Sequence, residues 1–196
     1  MAIEHYDDKF FKVRKGYMGR VPIMCQGIID IYHPKTLLDL GAAIGDTVQG
    51  YIDRGVDAKG IEGSDSCLPY LICSPDKIFI QDLSKPLDPM PEKVDVVTCF
   101  EVIEHIEPEF IDIMMDNITN LSDVLVISIC CYGPTTKIHP SIKPVAFWLE
   151  EFIKRGFERK PEKEEQLKLI WKPIEHKAGI KEPYKNLMIW ERKINV

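Results

Sequence analysis

The chain has 196 residues, of which 45% are hydrophobic, and its formal net charge is −6 at pH 7. This length and composition predict one domain, residues 1–196, with a hydrophobic core of its own. Broad nucleic-acid-binding surfaces are usually basic, so we do not expect a nucleic-acid partner. No apolar run reaches the ~20 residues of a membrane span and no signal-peptide core precedes the first motifs, so we expect a cytoplasmic protein.

Residues 1–35 are predicted to precede the sheet as an arm followed by an amphipathic helix at 23–31. The arm mixes aromatic side chains with a cluster of basic ones. Two interpretations are open: a solvated surface, which charge runs usually form, or an arm that folds over a binding pocket and contacts an anionic group of the substrate. The basic residues are Lys9, Lys12, Arg14, Lys15 and Arg20.

The most informative stretch follows as a strand, a glycine turn, a helix and a second strand. Residues 37–40 are mostly apolar, which predicts a parallel strand buried on both faces. Gly41 and Gly45 then predict a tight turn, and a second strand at 58–61 ends in an acid, Glu62. This order predicts a nucleotide-binding half-domain in which the terminal acid accepts hydrogen bonds from ribose hydroxyls.

The turn favours a cationic ligand over a dinucleotide. The third glycine of G-x-G-x-x-G is missing, and Ala43 stands where a middle glycine would be. Asp39 and Asp46 place carboxylates where a pyrophosphate would be repelled. S-adenosylmethionine fits such a site, because it carries a sulfonium, an ammonium and a ribose but no phosphate. Asp46 has a second interpretation, in which it only complements the dipole of the following helix.

Strands and helices alternate along the rest of the chain. Alternation of this kind predicts an α/β fold with a doubly wound sheet and helices on both faces. The segment 161–185 is a charged insertion in which Leu167, Ile170 and Trp171 predict a short amphipathic helix, serving either as a cover over the core or as a lid with substrate contacts. The other predicted elements are strands at 77–81, 94–100, 124–129 and 186–192, a helix begun by Pro108, and a helix from Pro144 that ends at Gly156.

Four motifs in this order resemble those of the class I S-adenosylmethionine-dependent methyltransferases, over residues 35–157. They are Asp39-Leu-Gly-Ala-Ala-Ile-Gly45, the acid Glu62, Ile78-Phe-Ile-Gln-Asp-Leu83, and the segment 94–105 with its E-V-I-E-H sequence, which is common in the small-molecule type. The resemblance implies a mostly parallel seven-stranded sheet of order 3-2-1-4-5-7-6 in a three-layer α/β/α domain. Its last strand is antiparallel, and its sixth is expected at 157–160.

The resemblance also implies S-adenosylmethionine as the cofactor and residues 36–160 as the cofactor-binding core. Glu62 is implied to bind the ribose hydroxyls, and the third-strand acid and the residue after it to meet the adenine. The implied cofactor contacts are Asp39, Gly41, Ala42, Ala43, Gly45, Glu62, Gly63, Asp82, Leu83, Phe100 and Glu101.

Candidate catalytic and substrate residues follow the fourth and fifth strands. His105 is the best general base, because an unperturbed histidine titrates near neutral pH; the alternative is a histidine that only hydrogen-bonds the loop. Loops at this edge of a sheet often carry function, so Tyr132 and His139 are predicted to contact the substrate, and His139 is a second catalytic candidate. The predicted reaction is in-line methyl transfer to an oxygen or nitrogen of a small-molecule or saccharide-like acceptor.

Other functions remain open at this point. The G-A-A turn is similar to that of RNA ribose 2′-O-methyltransferases, although the proline after the alanines is missing and Phe100-Glu101 stands in the fourth motif. RNA ribose or base methylation and a catalytically silent S-adenosylmethionine-binding protein are therefore alternatives, whereas a nicotinamide oxidoreductase is disfavoured. The six cysteines include no C-x-x-C pair, so we predict reduced structural thiols and no metal site. The sequence does not reveal the oligomeric state.

Overall fold

A seven-stranded sheet forms the centre of the structure, a computed structural model that describes residues 6–89, 92–177 and 181–194, without the side chains of residues 15 and 17. Its strands are β1 (Thr36–Leu40), β2 (Asp57–Glu62), β3 (Ile78–Ile80), β4 (Val96–Phe100), β5 (Val124–Ser128), β6 (Phe157–Arg159) and β7 (Leu187–Arg192). The strand order is β3-β2-β1-β4-β5-β7-β6. The first five strands in that order are parallel, and β7 is antiparallel to both neighbours. The predicted fold class and strand order are confirmed.

Helices cover both faces of the sheet, as the alternating elements predict. They are α1 (Asp8–Arg14), α2 (Val21–Tyr32), α3 (Asp46–Ile52), α4 (Ile111–Leu121), α5 (Val145–Lys154), α6 (Pro161–Trp171) and α7 (Lys181–Asn186). Pro108 opens a 3₁₀ turn at Pro108–Phe110 rather than the α-helix itself, which begins at Ile111. Among the described residues, no helix is long and apolar enough to span a membrane.

The side chains of β1 divide between two hydrophobic cores, because successive residues of a strand point to opposite faces. Leu37 joins the core beneath α2, α3 and α6, whereas Leu38 and Leu40 join the core beneath α4 and α5. A strand buried on both faces must be largely apolar on both, which explains Leu37, Leu38 and Leu40 in the sequence.

The helix α6 covers the first of these cores. Its Leu167 and Trp171 are fully buried, and the Trp171 indole donates a hydrogen bond to the carbonyl oxygen of Met24 in α2 at 3.3 Å. Of the predicted 161–185 segment, residues 178–180 lie outside the described residues, as do residues 1–5 of the predicted arm. The six cysteines are all free thiols, and four of them are buried.

Candidate functional site

The glycine turn after β1 is held close to the end of β2. The backbone N–H groups of Gly41 and Ala42 donate hydrogen bonds to the carbonyl oxygen of Ile61 at 2.8 and 3.0 Å. Gly41 has φ +72°, and a Cβ on it would lie 2.3 Å from Cγ2 of Val102. The turn therefore requires glycine here for both its conformation and its close packing.

Ala43 occupies the position of the missing middle glycine and also has a left-handed backbone, with φ +50°. We expected a small residue to be tolerated here because the position requires only close approach of the backbone to the ligand. That reason is incomplete, because the left-handed backbone conformation also costs a non-glycine residue about 1–2 kcal/mol. Glu62 offsets part of this cost, because its Oε2 accepts a hydrogen bond from the Ala43 N–H at 2.9 Å.

Glu62 lies at the end of β2, directly against the turn, and is buried. Its Oε1 accepts a hydrogen bond from the Ser64 N–H at 2.9 Å, so that each carboxylate oxygen already has one backbone donor. Burial raises the pKa of this carboxyl group. Each oxygen of a carboxylate can accept two hydrogen bonds, so the group retains acceptor capacity for a hydroxyl donor from the pocket.

Asp39 lines the same pocket from β1 and is also buried. Its Oδ1 accepts a hydrogen bond from Thr98 Oγ1 at 2.6 Å. Burial raises the pKa of Asp39 to about 7, although the hydrogen bond from Thr98 opposes the shift. A cationic ligand would favour the charged form of this carboxyl group.

Asp46 does not line the pocket, so its charge says less about the ligand than the sequence suggested. It lies in the first turn of α3, and its Oδ2 is 3.4 Å from Nη2 of Arg20, with both side chains buried. The arginine offsets the carboxylate, so Asp46 is weaker evidence against a phosphate than the sequence suggested. Its position in the first helical turn fits the alternative interpretation, in which it complements the helix dipole.

The end of β4 brings Phe100 and Glu101 to the pocket. Glu101 has φ +55°, and its backbone N–H donates to the carbonyl oxygen and the hydroxyl oxygen of Ser128 in β5. Its carboxylate accepts a hydrogen bond from Asn186 Nδ2 at 3.0 Å. These contacts fix an acidic side chain at the boundary between β4 and β5.

His105 and His139 are brought together, although they are far apart in the sequence. Their ring centroids are 4.5 Å apart, and both residues line the pocket. His105 Nδ1 is 2.8 Å from the carbonyl oxygen of Ile138, to which it donates a hydrogen bond. Burial, followed by the neighbouring His139, lowers the pKa of His105 to about 4. The premise that His105 titrates near neutral pH is therefore wrong, and the loop hydrogen bond of the alternative interpretation is present.

Glu104, in the E-V-I-E-H segment, is a further acidic residue of the site. It is only 1% exposed and lines the pocket beside both histidines. Its Oε1 accepts a weak hydrogen bond from the Cys130 N–H at 3.3 Å. Burial, followed by the charge of Glu101, raises the pKa of Glu104 to about 8.

The N-terminal arm lies over the pocket. Ser64 Oγ donates a hydrogen bond to the carbonyl oxygen of Tyr6 at 3.0 Å, and the Tyr6 ring packs edge-on against His105 with centroids 5.7 Å apart. Arg14 and Arg20 also line the pocket. Of the two interpretations of the arm, the structure supports the one in which it folds over the pocket; its contact with an anionic substrate group stays a prediction.

These elements enclose one cavity of about 540 Å³ at the carboxyl ends of β1, β2 and β4. Gly45, Asp82 and Tyr132 do not line it. Gly45 has φ +69° and precedes α3, Asp82 accepts hydrogen bonds from the Ser84 N–H and hydroxyl, and Tyr132 is 56% exposed. The predicted site residues that line the cavity are Asp39, Gly41, Ala42, Ala43, Glu62, Gly63, Leu83, Phe100, Glu101, His105 and His139.

Some lining residues were missed because distant parts of the chain supply them. Glu182 and Pro183 come from α7, and Tyr6 and Phe10 come from the arm. The basic and aromatic composition of the arm was the only available signal for its residues, and it does not distinguish a pocket wall from a solvated surface. No sequence pattern pointed to α7.

Comparisons with known proteins show the fold. No family model matches the sequence, and no curated protein matches it. The CcbJ methyltransferase from Streptomyces caelestis is similar in structure, with a TM-score of 0.67 and 12% identity over 96% of this chain and 98% of that one. The sugar N-methyltransferase KedS8 from Streptoalloteichus sp ATCC 53650 gives a TM-score of 0.64 and 13% identity over 95% and 92% of the two chains.

A third similar structure is magnesium protoporphyrin IX methyltransferase from Synechocystis PCC 6803 with bound SAH (S-adenosylhomocysteine). It gives a TM-score of 0.58 and 18% identity over 76% of each chain. At these identities the likeness shows the architecture, which is the Rossmann-like fold of methyltransferases.

Proposed function

We propose that this chain is an S-adenosylmethionine-dependent methyltransferase whose cofactor binds in the cavity at the ends of β1, β2 and β4. The observation that carries the proposal is the arrangement of three acids, Asp39, Glu62 and Glu101, around a left-handed glycine turn in one pocket. Ligands of open α/β sheets bind where the strand order reverses, and here that point lies between β1 and β4. The SAH-bound neighbour has the same fold.

The residues present fit the charge and shape of S-adenosylmethionine. Glu62 retains acceptor capacity for a ribose hydroxyl, and Leu83 offers an apolar contact for the adenine. Asp39 is buried beside Thr98 with its pKa raised to about 7, so a cationic group beside it would stabilise its charged form. A dinucleotide would instead bring phosphate groups into a pocket with several buried acids.

When bound, S-adenosylmethionine supplies an activated methyl group, so the protein mainly has to position the acceptor and exclude water. Phe100 and the arm residues Tyr6 and Phe10 provide apolar walls for this purpose. The Nδ1–H group of His105 donates a hydrogen bond to the Ile138 carbonyl oxygen, so Nε2 is the ring nitrogen that can accept a proton. Because its pKa is about 4, His105 is a weak base, and we assign it mainly to orienting the acceptor.

We further propose that the acceptor is a small or saccharide-like molecule methylated on oxygen or nitrogen. The arm over the pocket and the net charge of −6 support a small acceptor rather than a long polyanion. Among the proteins of similar structure is one described as a sugar N-methyltransferase. We assign an acceptor contact to His139, which lies in the pocket wall. Tyr132 is exposed and lies outside the cavity lining, so its contact with the acceptor stays a prediction.

Isothermal titration calorimetry with S-adenosylmethionine, SAH and NAD tests the cofactor proposal. We expect the first two to bind and NAD not to bind. Glu62→Gln should weaken S-adenosylmethionine binding by about 1.5–3 kcal/mol, the scale of a hydrogen bond to a charged group. Glu158→Gln, at an exposed position in β6, is the matched control and should leave the affinity unchanged. Binding of NAD alone would contradict the proposal, and unchanged affinity in a folded Glu62→Gln variant would contradict the ribose assignment.

A further inference from the structure

We propose that Glu104, His105 and His139 form a binding site for a divalent transition-metal cation in the wall of the pocket. One ligand atom from each of the three residues lies within 4.8 Å of the others. The inference goes beyond the proposed function, because methyl transfer from S-adenosylmethionine does not itself require a metal. It also differs from the sequence prediction, which included no metal site.

The donor set indicates the class of cation. Two imidazole nitrogens and one carboxylate oxygen suit first-row ions such as Mn²⁺, Co²⁺ and Zn²⁺, whereas Mg²⁺ and Ca²⁺ prefer oxygen ligands throughout. Three protein ligands leave at least one coordination position open. Because all three residues line the pocket, that position is accessible to water or to an oxygen atom of the acceptor.

An independent observation comes from the second oxygen of Glu104. The residue is 1% exposed, and its Oε2 has no hydrogen-bond partner within the described part of the chain. The Glu101 carboxylate lies close enough to add repulsion. A buried acceptor atom without a partner is unfavourable. A cation bound between Glu104 and the two histidines would occupy this atom and offset the repulsion between the two acids.

The surroundings of His105 are those of a metal ligand. Its Nδ1 donates to the Ile138 carbonyl oxygen at 2.8 Å, which places the lone pair of the neutral ring on Nε2. Metal-binding histidines almost always donate the other ring N–H to a carbonyl or carboxylate in this way, which fixes the tautomer and the orientation of the ring.

The loop that carries His139 is fastened to the loop that carries Glu104. Thr136 accepts a hydrogen bond from the His139 N–H through Oγ1 at 2.9 Å, and its own N–H donates to the His139 carbonyl oxygen at 3.0 Å. The Ser141 N–H donates to the Glu104 carbonyl oxygen at 3.1 Å. Ligand atoms at 2.0–2.2 Å from a tetrahedral metal are about 3.4 Å apart. Side-chain rotations that move the three ligand atoms by about 1 Å would therefore complete the site.

Titration of chelator-treated protein with Co²⁺, followed by its visible absorption, tests the site without any methyl acceptor. We expect the wild-type protein to bind one Co²⁺ per chain, with competition by Zn²⁺ and Mn²⁺. His139→Gln and Glu104→Gln should each weaken Co²⁺ binding at least about tenfold, because each removes a ligand. The matched controls are His176→Gln and Glu109→Gln, which change the same residue types at exposed positions outside the cluster and should bind Co²⁺ as the wild type does.

The inference is overturned if wild-type protein binds Co²⁺ no more tightly than the His105→Gln/His139→Gln double variant. It is also overturned if the His176→Gln and Glu109→Gln controls lose as much affinity as the site variants. Thermal unfolding checks that each variant is folded, and His139→Gln carries the test if replacing the buried Glu104 prevents folding. Measurement of S-adenosylmethionine binding by the same protein samples separates the two proposals. If Co²⁺ does not bind but S-adenosylmethionine does, the metal site is refuted and the cofactor proposal stands.

Discussion

At the residue scale, Gly41 combines two constraints that a matched pair of variants can separate. Gly41→Ala should destabilise the protein by about 2–5 kcal/mol, from the left-handed backbone (about 1–2) and the overlap with Val102 (about 1–3). Gly55→Ala is the control, because Gly55 has φ +82° and a Cβ there would meet nothing within 4 Å among the described residues. Urea unfolding measures both variants. An equal decrease in the free energy of unfolding for the two variants would show that overlap with Val102 does not contribute to the destabilisation.

Asp39 gives a pH dependence of known sign. Its pKa is raised from 3.8 to about 7 in the folded protein, so the unfolded chain loses this proton first as the pH rises. The contribution of Asp39 to stability therefore becomes unfavourable between about pH 4 and pH 7. Asp39→Asn should make the ligand-free protein more stable at pH 8, by roughly 1–3 kcal/mol, and should have little effect at pH 4. Urea unfolding at the two pH values measures this difference.

The same group predicts how ligand binding depends on pH. A cationic ligand favours ionised Asp39, so S-adenosylmethionine affinity should rise as the pH increases through 7, with release of a proton on binding. Calorimetry in buffers of different ionisation enthalpy measures that proton. Asp39→Asn should bind more weakly and lose the Asp39 part of the pH dependence. An unchanged profile in this variant would show that Asp39 does not meet the cation.

At the scale of elements, the buried ion pair between Arg20 and Asp46 joins the start of α2 to α3. Removal of one member of a buried pair typically costs about 3–5 kcal/mol, because the remaining buried charge loses the attraction of the removed one. Asp46→Asn should therefore lower the free energy of unfolding by roughly that amount. The double variant Arg20→Met/Asp46→Asn should lower it by less than Asp46→Asn alone. Thermal unfolding of the two single variants and the double variant gives the coupling energy. Additive losses would mean that the two side chains act independently.

At the scale of the whole molecule, the sheet could be predicted because its signals are local. Each of the strands β1, β4 and β5, like the glycine turn, is specified by a few consecutive residues. The resemblance to methyltransferases implied the strand order. The arrangement of the site depends on contacts over long sequence distances. His105 meets Ile138, 33 residues away, and Ser64 meets Tyr6, 58 residues away. Local patterns carry no information about such contacts, so they predicted neither the place of α7 in the pocket nor the meeting of Glu104 with both histidines. The arm over the pocket was one of two interpretations that the sequence left open.

A crystal structure of the protein with SAH tests the central claim most directly, because it locates the cofactor product among the residues that we assign to it. We predict SAH in the cavity at the ends of β1, β2 and β4, with its ribose hydroxyls within hydrogen-bonding distance of Glu62 and its adenine against Leu83. SAH bound elsewhere, or a cavity that stays empty at saturating SAH, would contradict the account.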